Sequence, residues 1–232
     1  MATLLLLKIC LPLMLCVLVS NALSQSCTLS PSGPIVVSQN NQVIQHLYIR
    51  SLQGLPAITV KGFTDVVISN VLIEHSELGP GISFSNADGL MITNVSISLV
   101  TKIKTGPLPT TNAVSIAGQA TNRLRIDHVR ASGGSSGIYL LACAAAHLTF
   151  IEGHNMRGPF PRGQCVQFDK SSNSILEDFS CVNDIGQNVS YTEDNLSVYQ
   201  SDNVTLRRGL IDGNNSPTGD GVMVETGGVC RC

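Results

Sequence analysis

A short apolar–polar–apolar triplet recurs along the chain at intervals of 24 to 32 residues. Alternation with a period of two places both apolar residues of each triplet on one face of a strand and the polar residue on the other. A repeat of this length is typical of a solenoid, in which each unit packs on its neighbours. The seven triplets are Ile58-Thr59-Val60, Ile82-Ser83-Phe84, Val114-Ser115-Ile116, Ile138-Tyr139-Leu140, Val166-Gln167-Phe168, Leu196-Ser197-Val198 and Val222-Met223-Val224.

Each triplet is followed within about ten residues by a second apolar strand, and in several units by a third. In one unit these are Val66-Val67-Ile68 and Val71-Leu72-Ile73. Asn, Asp and Gly residues, as in 85–89, separate the first and second strands and suit tight corners. The pattern therefore predicts an all-β chain of about seven stacked coils with three strands per coil, sharing one long core.

The repeat resembles the right-handed parallel β-helix proteins of the pectate-lyase-like class, over roughly residues 33–225. Segments 157–170, 191–195 and 211–217 are similar to stretches in secreted members of unassigned function. The resemblance implies a single-stranded, right-handed parallel β-helix. It implies no single activity, because this fold hosts lyases, hydrolases, epimerases, adhesins and inert scaffolds.

The N-terminus reads as a targeting segment. Residues 1–24 are almost wholly apolar up to Val19 and then turn to small residues, which predicts a signal peptide followed by a β-helix domain over 25–232. We therefore expect a secreted, extracellular protein with no membrane span in the mature chain, and an uncleaved anchor is the alternative. The formal charge of −2 and the lack of a basic stripe argue against a nucleic-acid partner. Only seven residues follow the strand Val222-Met223-Val224-Glu225, so a C-terminal truncation is a second alternative to a complete domain.

Cysteines and sequons agree with secretion. An even number of cysteines remains after the leader, which predicts disulfides, and Cys165–Cys181 is the favoured pair because the two flank one coil segment. The cysteines expected to form disulfides are Cys27, Cys143, Cys165, Cys181, Cys230 and Cys232. The predicted glycosylation sites are Asn94, Asn188, Asn195, Asn203 and Asn214.

Two short segments resemble pectate lyases. Arg157-Gly158-Pro159-Phe160-Pro161-Arg162 matches an Arg-x-Pro-x-x-Arg pattern, in which the resemblance implies an arginine acting as the base. Arg125-Ile126-Asp127-His128 is similar to a hydrophobic-Ile-Asp-His segment of the same family, with Arg125 where Trp is usual. His154 is a further candidate base. A lyase of this kind also needs a cation or arginine beside the uronate carboxylate.

A glycoside hydrolase needs paired carboxylates, and the C-terminal coils supply several. Stacking predicts Asp169, Asp194 and Asp220 near one edge. The candidate catalytic residues are Arg157, Arg162, Asp169, Lys170, Asp194 and Asp220, and the candidate substrate-binding residues are Tyr139, His154, Gln167 and Glu193. No outward triplet position is acidic, so Ca²⁺ has no predicted carboxylate cluster and the cofactor stays open.

Two functions follow from these residues. The first is a secreted carbohydrate-active protein that binds or cleaves a polysaccharide, as a lyase or a hydrolase if it is an enzyme. The second is a non-catalytic extracellular structural or adhesion module. The Arg, Lys and Asp residues within 157–194 favour the first, and the absence of a carboxylate cluster on the strand face favours the second.

Overall fold

The computed structural model describes residues 28–184, 193–214, 216, 218–225 and 230–231. This part of the chain is built from strands and contains no helix that is long and apolar enough to cross a membrane. The strands are β1 (Ser30–Ser32), β2 (Ile35–Val36), β3 (Val43–Ser51), β4 (Ile58–Lys61), β5 (Val67–His75), β6 (Ile82–Ser85), β7 (Met91–Leu99), β8 (Ile116–Gln119), β9 (Arg125–Ser132), β10 (Ile138–Leu141), β11 (His147–His154), β12 (Val166–Asp169), β13 (Ile175–Val182), β14 (Leu196–Tyr199), β15 (Val204–Asp212), β16 (Val222–Glu225) and β17 (Cys230–Arg231).

The strands form two parallel sheets that run the length of the molecule. Sheet A contains the odd-numbered strands β1 to β17, and sheet B contains the even-numbered strands β2 to β16, each in chain order. Each coil gives one strand to each sheet and pairs in parallel with the coils before and after it. The prediction of an all-β parallel β-helix of about seven coils is confirmed.

The core is a set of inward columns in which equivalent residues of successive coils lie on one another. In sheet A, Ile68 pairs with Ile92 and Ile92 with Ile126, and all three are fully buried. In sheet B, Ile58, Ile82 and Ile116 form an equivalent column. β-Branched side chains fit these columns because each packs against the same residue type in the next coil.

The predicted second and third strands of each coil are the two halves of one bent strand. The bend lies at a residue with a left-handed backbone, such as Asn70 in β5 and Asn94 in β7. The Asn94 side-chain amide donates a 2.6 Å hydrogen bond to Asn70 Oδ1, so the column of bends is joined side chain to side chain. Asparagine tolerates this conformation better than most residues, which explains its recurrence here.

The two connections of a coil differ in how constant they are. The connection from sheet B to the following strand of sheet A spans four or five residues in every coil from β4 to β15. From β3 onward, the connection from sheet A to the next strand of sheet B ranges from five residues (133–137) to sixteen (100–115). The variable interval between triplets therefore arises almost wholly at one corner, beside the N-terminal ends of the sheet B strands.

The predicted triplet Val114-Ser115-Ile116 does not match the strand register of the structure. The pairing aligns Ile116 with Ile82 and Ala117 with Ser83, so Ala117 is the outward residue and not Ser115, which is fully buried. The second inward position of β8 is Gly118, whose missing side chain leaves room for the Phe84 ring of the coil below. A hydrophobic pattern cannot mark a glycine as an inward residue, and the prediction for this coil was wrong by two positions.

Cys165 and Cys181 form a disulfide with their Cα atoms 5.8 Å apart. It joins the residue before β12 to the far end of β13 and so closes a single coil, as the sequence suggested. Cys143 was expected to form a disulfide, but it is a free thiol buried in the corner after β10. Its Sγ donates to Leu141 O, and burial raises its pKa to about 11, so the thiol stays protonated. The predictions for Cys27, Cys230 and Cys232 concern side chains outside the described residues.

The C-terminal coils carry a network of charges centred on Glu177. Its Oε1 accepts a 2.7 Å hydrogen bond from His147, and its Oε2 accepts from Arg207 and Arg208 at 2.6 and 2.7 Å. The His147 and Arg207 hydrogen bonds lower the pKa of Glu177 to about 2. These partners lie on β11, β13 and β15, so the network joins three successive coils.

Replacing Gly118 by alanine should destabilise the fold, because the new Cβ would overlap the Phe84 ring. We expect the free energy of unfolding to fall by about 1–3 kcal/mol, the usual cost of overpacking. The cost of Gly118→Ala should be smaller in a Phe84→Leu background, and urea denaturation of the four proteins measures this coupling. Ala117→Ser, on the outward face, is the matched control. Equal costs in both backgrounds would contradict the proposed contact.

Glu177 should make stability depend on acid pH. Its folded pKa of about 2 is below the ordinary value of 4.5, so the stability that it contributes is present above pH 4.5 and is lost as the pH falls toward 2. Glu177→Gln should therefore be less stable than the wild type at neutral pH. The difference in stability between the two proteins should shrink as the pH falls from 4.5 toward 2. Thermal unfolding followed by circular dichroism measures both, with Glu152→Gln as the exposed control. A difference that does not change with pH would refute the role of the ionised carboxylate.

Candidate functional site

An arginine lies over an aromatic ring on the outward face of sheet B. Tyr139 of β10 and Gln167 of β12 are paired neighbours whose side chains point outward. The guanidinium of Arg162 is 3.8 Å from the centre of the Tyr139 ring, and its Nη1 donates a 3.0 Å hydrogen bond to Gln167 Oε1. Arg162 comes from the variable connection 155–165, where its backbone N–H donates to Pro159 O. Stacking of this kind fixes the guanidinium while leaving donors open.

Asp169 extends this cluster at the end of β12. Its Oδ2 accepts a 2.9 Å hydrogen bond from the Tyr139 hydroxyl, and its Oδ1 is buried with no hydrogen-bond partner among the described residues. Burial, together with the hydrogen bond to Asp169, raises the pKa of Tyr139, so the phenol stays protonated and acts as a donor. Buried acceptors of this kind are usually satisfied by ordered water or by a bound group. Lys170 follows Asp169 and is exposed, with a left-handed backbone.

Glu193 lies on the side of the site where the connections enter sheet B. Its Oε2 accepts a 2.8 Å hydrogen bond from Gln164 Nε2, and the charge of Arg162 acts on it. Partial burial raises the pKa of Glu193, and the carboxylates of Asp194 and Glu225 raise it further. We did not select Gln164 from the sequence, although it lies two residues after Arg162. It is 1% exposed and holds Glu193 in place, a role that its position in the segment 157–170 alone does not reveal.

The structure does not bring Asp169, Asp194 and Asp220 to one edge, and that prediction was wrong. Asp169 pairs with Tyr199 at the end of sheet B, whereas Asp194 precedes β14 at the other end. At about 3.3 Å per residue the two levels are about 16 Å apart along the strands. Asp194 and Asp220 do meet, because Asp220 N donates a 2.9 Å hydrogen bond to Asp194 Oδ1. Asp194 is 5% exposed, and burial raises its pKa.

Two further candidates do not contribute to this face. The first is bonded to backbone carbonyls, and the second lies on sheet A. Arg157 is 5% exposed, and its guanidinium donates three hydrogen bonds, to Ile103 O at 2.8 Å and to Gly106 O at 2.9 and 2.7 Å. It therefore fastens the long connection 100–115 to the coils that follow. His154 lies at the end of β11 in sheet A, where its Nε2 is 3.7 Å from Asp184 Oδ1.

Several asparagines predicted to carry glycans have structural contacts. Asn195 is 1% exposed, its side-chain amide donates to Gly213 O, and its Oδ1 accepts from Asn214, so the folded protein offers no access to it. Asn94 and Asn203 are exposed members of the Asn columns, in which Asn203 Nδ2 donates to Asn173 Oδ1 at 3.0 Å. Asn188 lies outside the described residues.

The segment Arg125–His128 lies on sheet A, on a face other than the Arg162 cluster. Asp127 accepts hydrogen bonds from His128 Nδ1 at 2.8 Å and from Thr149 Oγ1 at 2.5 Å, and the His128 ring stacks on Phe150 with centroids 4.4 Å apart. Burial works against ionisation of Asp127, but these hydrogen bonds outweigh it and lower its pKa.

The described residues contain no group of three or more His, Cys, Asp or Glu side chains placed to hold a metal ion. No protein-family model matches the chain, and no curated protein matches it either. The likeness to the pectate-lyase-like class therefore rests on the parallel β-solenoid and on the short segments quoted above.

Arg157→Ala should release the connection 100–115, because the carbonyl oxygens of Ile103 and Gly106 lose their charged donor. We expect the free energy of unfolding to fall by about 1–3 kcal/mol. Trypsin should then cut faster after Lys102 and Lys104, which lie exposed in this connection. Mass spectrometry of timed digests measures the rate, with Arg130→Ala as the control at an exposed arginine. An unchanged cleavage rate in Arg157→Ala would show that Arg157 does not hold the connection 100–115 in place.

Proposed function

We propose that this protein is secreted and binds an acidic polysaccharide along the outward face of sheet B. The observation that carries the proposal is the Arg162 guanidinium, held over Tyr139 and bonded to Gln167 on that face. An immobilised guanidinium beside an aromatic ring suits a carboxylated sugar, because the fork can pair with the carboxylate.

The neighbouring groups support a polar, directional ligand. Asp169 Oδ1 offers a buried acceptor without a donor among the described residues, and Glu193 offers a second carboxyl group on the other side of Arg162. These groups suit sugar hydroxyls, which donate as well as accept hydrogen bonds. The strands beneath them are rigid elements of the solenoid, so the donors and acceptors are placed before a ligand arrives.

Binding without cleavage fits this geometry better than catalysis. Arg157, one of the two arginines of the segment in which the lyase resemblance implies a base, is buried and bonded to carbonyl oxygens. Of the carboxylates expected to form a catalytic set, Asp169 lies at the opposite end of sheet B from Asp194 and Asp220. Secretion is supported by the apolar segment 1–24 and by the Cys165–Cys181 disulfide, a bond typical of oxidising compartments.

A structural or adhesion module is the second candidate. The outward residues of the first coils of sheet B are small or uncharged, with Thr59, Ser83 and Ala117 side by side. These three side chains carry no charge, and the charged outward residue beside them is Lys61 at the end of β4. A structural or adhesion module would present this face without binding a soluble polysaccharide.

The test is binding of polygalacturonate and of a neutral dextran, measured by isothermal titration. We expect the wild type to bind polygalacturonate but not dextran. Arg162→Ala should weaken polygalacturonate binding roughly tenfold to hundredfold, the loss expected for a charged hydrogen-bonding group. Arg130→Ala, at an exposed arginine on sheet A, should bind as the wild type does. Equal binding by both variants would refute the site.

The same samples decide between binding and cleavage. Incubation with and without Ca²⁺ should yield neither unsaturated uronates, followed by ultraviolet absorbance, nor new reducing ends. Either product would replace the binding proposal with a lyase or a hydrolase. Folded wild-type protein that binds neither polymer would favour the structural module.

A further inference from the structure

A groove of about 510 Å³ lies at the start of the sheet A strands, away from the face that carries Arg162. It spans β5, β7, β9 and β11 and reaches the corner residues that precede them. Its volume is within the range of roughly 300–1,000 Å³ typical of small-molecule sites. Nothing in the proposed function uses it.

The groove exists because two corner residues are small. Gly89 and Ala145 flank Arg123 in the column of left-handed residues before sheet A, in the coils on either side. Because neither has a long side chain, the Arg123 guanidinium can extend past Gly89 to Asp65, where Nη2 lies 3.5 Å from Oδ1. This ion pair fills the space that Gly89 leaves, and the groove lies beside the pair.

The walls of the groove combine positive charge with an apolar floor. Arg125 stands outward on β9, in register with Met91 of β7 and His147 of β11, at about 4.8 Å from each neighbouring strand. The Arg125 guanidinium makes no hydrogen bond or ion pair within the described part of the chain, whereas Arg123 and His147 pair with Asp65 and Glu177. Its fork of donors is therefore available to a ligand.

The floor is formed by Val67 and Met91, whose exposed surface is apolar. Met91 is 37% exposed and lies between Val67 of β5 and Arg125 of β9. A ligand that fits both features has a carboxylate or another oxyanion for the guanidinium and a compact ring for the floor. A bare inorganic anion would use the first feature only.

We propose that this groove is a second binding site, which takes the carboxylate of a uronic acid residue on Arg125 and places its ring against Val67 and Met91. The choice of a sugar acid rests on the proposed function, whereas the choice of an anion rests on the groove alone. The site is independent of Arg162, because Arg125 is on sheet A whereas Arg162 lies over Tyr139 of sheet B. Asp65 is the carboxylate at its rim and is neutralised by Arg123.

The methionines provide a test that separates the two sites. After the predicted leader the chain contains Met91 in this groove, Met223 on the outward face of sheet B and the buried Met156. Methyl-labelled methionine allows each to be followed by NMR during titration with galacturonate, galactose or sulfate. We expect galacturonate to shift the Met91 methyl signal saturably, galactose to leave it unchanged, and Met156 to stay constant.

Variants make the assignment specific. Arg125→Ala should weaken galacturonate binding at Met91 roughly tenfold to hundredfold, and Arg125→Lys should weaken it less because the charge remains. Arg130→Ala and Arg162→Ala should leave the Met91 response intact. Weaker binding of sulfate than of galacturonate supports the contribution of the floor, and equal binding would overturn the assignment to a sugar acid.

Two outcomes would overturn the site as a whole: no Met91 response to galacturonate, or an unchanged response in Arg125→Ala. A polygalacturonate titration that shifts Met223 and leaves Met91 unmoved would uphold the proposed function while refuting this one. A titration of the wild type that shifts Met91 and leaves Met223 unmoved would uphold this site while refuting the proposed function.

Discussion

The register between coils is the constraint on which the rest of this structure depends. Each residue of a coil lies against the equivalent residue of the next, and the parallel hydrogen bonds continue from the strands into the corners, as from Asp65 N to Asp88 O. A shift by one residue would turn a whole inward column outward, as in any sheet. The buried columns of Ile and Leu therefore hold the register, and the register in turn decides which outward side chains can meet. Tyr139 contacts Asp169 and Gln167 only because β10 and β12 are aligned in this way.

The bends within the sheet A strands show how the chain changes direction without losing this alignment. Each bend of sheet A places one residue in the left-handed region, and the column runs through Asn70, Asn94, His128, Phe150 and Asp178. Asparagine enters this region at low cost, but phenylalanine does not. Contacts along the column compensate for the unfavourable residue, since the Phe150 ring stacks on His128, one coil away. In a solenoid a strained bend is thus stabilised by its neighbours in adjacent coils rather than by residues near it in sequence.

The sequence was sufficient to predict the class of fold because periodic burial is visible in side-chain type. The alternation of apolar and polar residues located six of the seven triplets, and it failed where an inward position is Gly118, a residue without a side chain. The candidate site was harder to predict. Arg162, Gln167 and Tyr139 do meet, but Asp169 and Asp194 are separated because strand pairing, not sequence distance, decides their level. Gln164 was missed because its effect is to orient Glu193, and no pattern of residue types encodes that contact.

The same constraint explains where function can arise. The corner between sheet B and sheet A is nearly constant in length, so it leaves no room for new groups, whereas the opposite corner accepts insertions without disturbing the columns. Arg162, Gln164 and Glu193 all come from that variable corner and lie against the regular strand face. The groove around Arg125 arises by the other available route, in which small residues at Gly89 and Ala145 line a constant corner and Gly89 leaves room for the Asp65–Arg123 pair. A solenoid can thus acquire a site by adding a connection or by removing a side chain, and this chain does both because neither change alters the register of its core.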